Sequence, residues 1–165
     1  MFCIRITGGT SLTNSKRDKD ILEAFFEELI AVENHHRSLI IIVHGYIELF
    51  INCIIDKKCK HGKKRITKNT RDFPLSVKLT LLNELSFLDD TLFQILDKFR
   101  KIRNRAAHEA LFSITTAEWQ ILNNGLNRFL PGESKLKPND LAHFCKLLIG
   151  TLWNENLDIM LKIKL

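Results

Sequence analysis

The run from Leu39 to Ile55, LIIIVHGYIELFINCII, constrains the fold more than any other stretch of the chain. Almost every side chain in it is apolar, so the run must be covered by other parts of the protein or by lipid. It is slightly short for a membrane span, which takes ~20 residues. Glu48 also stands near its centre, beside His44 and Asn52, and an ionisable group at that depth is costly in a bilayer. The run therefore reads as the central helix of a buried core, from about His36 to Lys58, with no role for a membrane. His44, Glu48 and Asn52 recur every fourth residue, and Asp56 continues the series, so they form one polar stripe on an apolar helix. Buried polar groups need partners, and the stripe predicts that another element supplies them.

The remaining punctuation favours helices over a many-stranded sheet, with only 7 Gly and 3 Pro in 165 residues. Residues 1–17 read as a loosely ordered segment in which RITGGTS is either a short strand and turn or a frayed end. From 18 to 165 the pattern is one helical domain. A first helix starts near Asp18 or Asp20 and places Ile21, Leu22, Phe25, Phe26, Leu29 and Ile30 on one face. After the central helix, DFPLSVKLTLLNEL restarts a helix behind Pro74. Asp89 or Asp90 caps the next, TLFQILDKFRKIRNRAAHEAL. A new cap at Ser113–Thr116 opens a shorter one, and Pro138-Asn139-Asp140 opens a last helix over about 138–162. The expectation is all-α, a bundle of about six helices with long antiparallel members. Phe25, Phe26, Phe50, Phe93, Phe99, Trp119 and Trp153 fall at helical spacing and read as core.

Charge is unevenly placed. The formal net charge is +6, yet the connector from Lys57 to Arg71 alone carries eight basic residues and no acid, so the rest of the chain sums to −2. A second knot, KFRKIRNR, adds Lys98, Arg100, Lys101, Arg103 and Arg105. Such clusters attract phosphate backbones through counterion release, although a charge run alone also fits a solvated loop. The four cysteines Cys3, Cys53, Cys59 and Cys145 follow no apolar leader, which suits reduced thiols in the cytoplasm. Cys53, Cys59 and His61 lack zinc-site spacing, so neither a metal nor another cofactor is expected.

The second knot also holds a constellation. Arg100, Asn104 and His108 stack at every fourth residue beside the apolar stripe of Leu92, Leu96, Phe99, Ile102 and Ala106, and Arg103 lies on the stripe's edge. Arg103 and His108 are five residues apart, ~140° around a helix. One helix does not aim both at one phosphate, but a bend at His108 or a two-fold partner could. Ala106 and Ala107 would let another helix approach at the level of His108. Arg103, Asn104 and His108 are also candidate partners for the His44, Glu48 and Asn52 stripe, in the same chain or in a second one.

The segment IRNRAAHE resembles the Arg-(four to six residues)-His signature of the HEPN superfamily (higher eukaryotes and prokaryotes nucleotide-binding domain), in the form with Asn after Arg. The similarity extends over about Asp20 to Thr116, through HRSLIIIVHGYIELFINCIIDKK and FPLSVKLTLLNELSFLDDTLFQILDKFRKIRNRAAHEALFSIT, and looks like the mannitol-operon repressor group within that fold. The resemblance implies a HEPN-like core over about 20–130, a homodimer with its motifs facing each other, and in many members a metal-independent endoribonuclease of toxin or defence type. It implies His108 as general acid or base, Arg103 as stabiliser of charge on the phosphate and Asn104 as the group that orients either. The 2′-hydroxyl would be the nucleophile, which restricts the chemistry to RNA. Arg100, Lys101, Arg105, Lys63, Lys64 and Arg65 would hold the backbone.

The mannitol-repressor group implies a second reading, a non-catalytic transcriptional regulator or protein-interaction module without a DNA-reading motif. Its partner would be a protein, an antitoxin or a regulator. In a third, Arg103 and Asn104 brace the bundle and His108 is a structural histidine. Geometry separates them: catalysis needs His108 in an open cleft, whereas a buried His108 bonded to Glu48 argues for structure.

Overall fold

A computed structural model describes residue 23, residues 25–130 and residues 140–160. Within them the chain is all-α, with six substantial helices, one short one and no strand. Several expectations fall outside the described residues: the segment 1–17 with Cys3, the start of the first helix with Ile21 and Leu22, and Pro138 and Asn139.

Helix α1 (25–31) buries Phe25 and Leu29, while Ile30, expected on the same face, is exposed. Helix α2 (His36–Lys58) has the bounds read from its apolar run. By length and composition it could cross a membrane. Here its Leu39, Ile40, Val43, Ile47, Phe50, Ile51, Ile54 and Ile55 are buried, and it packs against α4 and α6. The edge-on rings of Phe25 and Tyr46 tie α1 to it, and the Tyr46 hydroxyl donates to Glu28 at 3.0 Å.

The basic connector is not a loose loop. After α2 the chain turns at Gly62, packed so tightly that a Cβ there would collide with the Ile55 carbonyl. It then forms a π-helical turn, Lys63–Thr67, in which the Lys68 amide donates to the Lys63 carbonyl at 3.3 Å. Two contacts pin this π-turn to α2: Ile66 packs against the core, and the Thr67 hydroxyl donates to Asp56 at 2.9 Å.

Helix α3 (Leu75–Glu84) begins behind Pro74, whose fixed φ suits a helix entry. It ends in a Schellman turn. The Phe87 amide donates to the Leu82 carbonyl and the Ser86 amide to that of Asn83, both at 2.8 Å. Ser86 occupies the left-handed position (φ 57°) that glycine usually fills.

Helix α4 (Asp90–His108) is capped by Asp89, whose carboxylate accepts from the Thr91 amide at 2.7 Å. Sequence periodicity carries this helix on to Leu111, but it stops at His108. Glu109 turns extended, and the Arg37 guanidinium of α2 donates to the Glu109 and Ala110 carbonyls at 2.7 and 3.0 Å. A side chain from the far end of a neighbouring helix thus takes over carbonyls that a further turn would have used.

Helix α5 (Thr116–Leu126) opens with a capping box between Thr115 and Glu118. The single last helix expected from the sequence is broken. Helix α6 (Leu141–Glu155), capped by Asp140, is separated from the short α7 (Leu157–Met160) by Asn156, whose side chain donates back to the Leu152 carbonyl at 3.1 Å. The core lies between α2, α4 and α6, where Phe99 stacks on Phe144, and Phe50 meets Trp153 edge to face. Of the aromatics read as core, Phe26 and Phe93 are partly buried and the other five buried.

Candidate functional site

Helices α2 and α4 run antiparallel. Arg37, at the start of α2, binds the end of α4, and Lys58, at the end of α2, stands 5.5 Å over the ring of Phe87, just before α4 begins. The polar stripe of α2 therefore lies alongside the basic half of α4. His44 is buried there, and its imidazole is held below the ordinary value of 6.5, first by that burial and then by the positive charge of Arg103; Glu48 opposes the shift and Arg100 adds to it. Arg103 and His44 thus share one seam between the two helices, but no hydrogen bond joins them among the described residues.

Helix α3 supplies a further partner of the stripe. Lys78 is completely buried, and its ammonium lies 3.6 Å from the Glu48 carboxylate. The Lys78 ammonium, the Arg103 Nε and the Asn52 side-chain oxygen are all buried without a hydrogen-bond partner among the described residues, so the seam leaves several polar groups unsatisfied. Asp56, the last member of the stripe, accepts from Thr67 instead.

The basic knot around the motif is largely neutralised from within. Arg100 and Lys101 both pair with Asp97 at 2.7 Å. Burial would raise the Asp97 carboxyl, yet hydrogen bonds from these two cations hold it below its usual range. Lys98 lies 3.5 Å from Glu118. Arg105 reaches Glu109 at 2.9 Å and Glu118 at 2.8 Å, which raises its own pKa further. Burial would also raise the Glu118 carboxyl, but hydrogen bonds from Thr115 and Arg105 hold it below its ordinary range. Among the described residues, Arg103 is the one basic side chain of the knot without a carboxylate partner. Its guanidinium comes only within 3.4 Å of the Asn104 amide oxygen.

His108, the last residue of α4, is exposed, as are Asn104 and Ala107. Glu48, the partner that a structural role for His108 would call on, pairs with Lys78 instead. Among the described residues no hydrogen bond joins Arg103 to His108: Arg103 is half-buried with its Nε covered, while His108 is exposed at the helix end. The Glu109 side chain is held by Arg105 and its backbone by Arg37, so the end of α4 that presents His108 is tethered to α2.

The remaining candidates lie elsewhere. Lys63, Lys64 and Arg65 are exposed on the π-turn, at the opposite end of α2 from His108. An open depression of about 520 Å³ is also remote from the motif, lined by Ser86, Phe87, Asp89, Asp90, Glu155 and Asn156 near the start of α4. Among the described residues no three His, Cys, Asp or Glu side chains converge as a metal site would require.

Two of these features had a trace in the sequence. Glu118 follows Thr115 at capping-box spacing, and Lys78 falls on the buried side of α3 with Leu75, Leu79 and Leu82. Arg37 had none, because its contact joins residues more than seventy positions apart. Compared with protein-family models, curated proteins and solved structures, the chain matches none of them.

Proposed function

We propose that this chain is a HEPN-type RNA-binding protein that cleaves RNA without a metal, in a site completed when two copies bring their motifs together. The observation that supports it best is Arg103, which among the described residues keeps its charge free of carboxylates while every other cation of the knot is paired. A guanidinium without an internal partner is suited to the doubly oxygenated face of a phosphate. His108 is accessible at the helix end.

In this reading the His108 imidazole of one copy takes the proton from an RNA 2′-hydroxyl. The freed oxygen attacks the adjacent phosphorus, and the bond to the 5′-oxygen of the next nucleotide breaks. His108 of the second copy protonates that leaving oxygen. Arg103 stabilises the charge gathered on the phosphate, and Asn104 orients it. The products are a 2′,3′-cyclic phosphate and a free 5′-hydroxyl. A toxin or defence role, a cytoplasmic location and an antitoxin-like protein partner belong to the same proposal. The free thiols of Cys53 and Cys59 fit such a reducing compartment.

A second reading rests on a different observation. Within one chain the Arg103 Nε is buried and no hydrogen bond joins Arg103 to the exposed His108 among the described residues, and Arg105 is fully engaged by Glu109 and Glu118. That arrangement suits a non-catalytic regulator of mannitol-repressor type, whose motif braces helices.

The test compares wild type with His108→Ala on a mixed RNA pool in the presence of EDTA, reading the cleaved ends. Cyclic phosphate ends that vanish in the variant support the nuclease. No cleavage by a folded, dimeric wild type removes it in favour of the regulatory module.

A further inference from the structure

The two basic clusters that look alike in the sequence have opposite fates in the fold. Beside the motif, four of the five cations are paired with Asp97, Glu109 and Glu118. In the connector, none of the eight basic side chains from Lys57 to Arg71 forms an ion pair among the described residues. Lys60, Lys63, Lys64, Arg65, Lys68 and Arg71 are all exposed. The largest uncompensated positive charge of the described chain therefore lies at the other end of α2 from His108.

The connector is also built rather than merely tethered. Gly62 seats it against the Ile55 carbonyl, Ile66 anchors it in the core and Thr67 bonds to Asp56. A charge cluster held in one conformation loses less entropy on binding than a free loop would. Its position is set by α2. Arg37 marks the motif end through Glu109, and Asp56 marks the basic end through Thr67. Between these two residues the helix rises about 28 Å.

We infer that the Lys63–Thr67 π-turn is a second contact for the RNA backbone, one helix length from His108, so that the protein favours RNA long enough to reach both. The inference rests on RNA as the ligand proposed above, and it adds a length requirement to that substrate. At ~3.4 Å per nucleotide of stacked strand, the span corresponds to about eight nucleotides. Shorter RNAs reach the motif but not the turn. The contact is to phosphates and carries no sequence preference.

Fluorescence anisotropy with His108→Ala, which leaves RNA intact under the proposed mechanism, reads the length dependence directly. Single-stranded oligoribonucleotides from about 4 to about 24 nucleotides are expected to bind about tenfold more tightly once they pass about eight. The slope of log affinity against log salt is expected to steepen by about 2 over the same step, as for three single-strand phosphates. K63Q/K64Q/R65Q removes both changes, and the charge-keeping K63R/K64R/R65K retains them, which separates lost charge from lost folding. Affinity independent of length, or a length step that survives K63Q/K64Q/R65Q, overturns the inference. Binding to no RNA at any length overturns it together with the RNA reading itself, and leaves an acidic protein surface as the partner of the turn. A length step in a wild-type protein that does not cleave keeps this contact and removes the nuclease. Cleavage without a length step does the reverse.

Discussion

Replacing Lys78 by methionine is expected to leave the protein as stable as wild type, or to make it more stable. The Lys78 ammonium is completely buried, makes no hydrogen bond and lies 3.6 Å from a Glu48 carboxylate whose side chain is 38% exposed. At an effective dielectric of ~20 that separation gives an attraction of roughly 5 kcal/mol. Against it stands the loss of hydration by an ammonium with nothing to donate to, which costs several kcal/mol. Methionine keeps most of the stem's packing and removes that cost, so K78M is expected to fall between neutral and about 2 kcal/mol more stable. Glu48→Gln works in the opposite direction, since it leaves the buried cation without its counter-charge. Because Glu48 is partly solvated, its loss is put at about 1–3 kcal/mol rather than the full buried-pair value. Urea denaturation of the two single variants and the double variant K78M/E48Q closes the cycle, and E48Q should cost little once Lys78 is gone. If K78M were destabilised by more than about 1 kcal/mol, attraction would outweigh desolvation in this seam and the reasoning would be wrong.

Four further outcomes follow from the same geometry. Ser86→Gly relieves a left-handed residue in the Schellman turn and is expected to stabilise by about 0.5–1 kcal/mol in urea melts, net of the entropy glycine adds to the unfolded chain; a lower midpoint would refute the strain. Glu118→Gln can still close the capping box but removes the charge that pairs with Arg105 and Lys98, and is expected to lower the urea and thermal midpoints; unchanged midpoints would show that these pairs add nothing to stability. His44 makes stability pH-dependent: its folded pKa lies below the ordinary 6.5, so in that window the unfolded chain binds more protons, and stability falls as pH drops below 6.5 and levels off under the folded value. Removing the Arg103 charge with R103Q should raise the His44 pKa, which NMR titration of the imidazole reads, and an unchanged titration would show that the two groups do not share the seam.

How much of this was legible depended on the range of the interaction involved. The bounds of α2 and the starts of α3, α4 and α5 came from local signals: an apolar run, Pro74, Asp89 and the Thr115 cap. The all-helical class and the aromatic core followed from periodicity, because burial repeats with the helix itself. The Arg-Asn-His spacing and the polar stripe of α2 were equally plain. The pairs of Arg100 and Lys101 with Asp97 and of Arg105 with Glu109 also fall at helical spacing, but no local pattern carried the pairs of Glu118 with Lys98 and Arg105 or of Lys78 with Glu48.

Arg105 has Glu109 four residues on while Arg103 has Ala107 there, so that pair has a local trace, but Glu118, thirteen residues beyond Arg105 and across a loop, adds a second carboxylate that no helical spacing announced. Composition alone placed both basic clusters, eight basic residues in the connector and five beside the motif. Asp97 and Glu109 pair with Arg100, Lys101 and Arg105 from the same helix and its end, the packing of α4 against α5 adds Glu118, and only the anchoring of Gly62, Ile66 and Thr67 against α2 turned the other cluster into a folded surface. Helix formation and amphipathic burial are decided within a few turns of chain, so the sequence by itself determined the helices and the face each one buries. Which charges meet across helices, where α4 stops and how far His108 lies from the free cations depend on contacts between distant residues, and those only the tertiary structure decided.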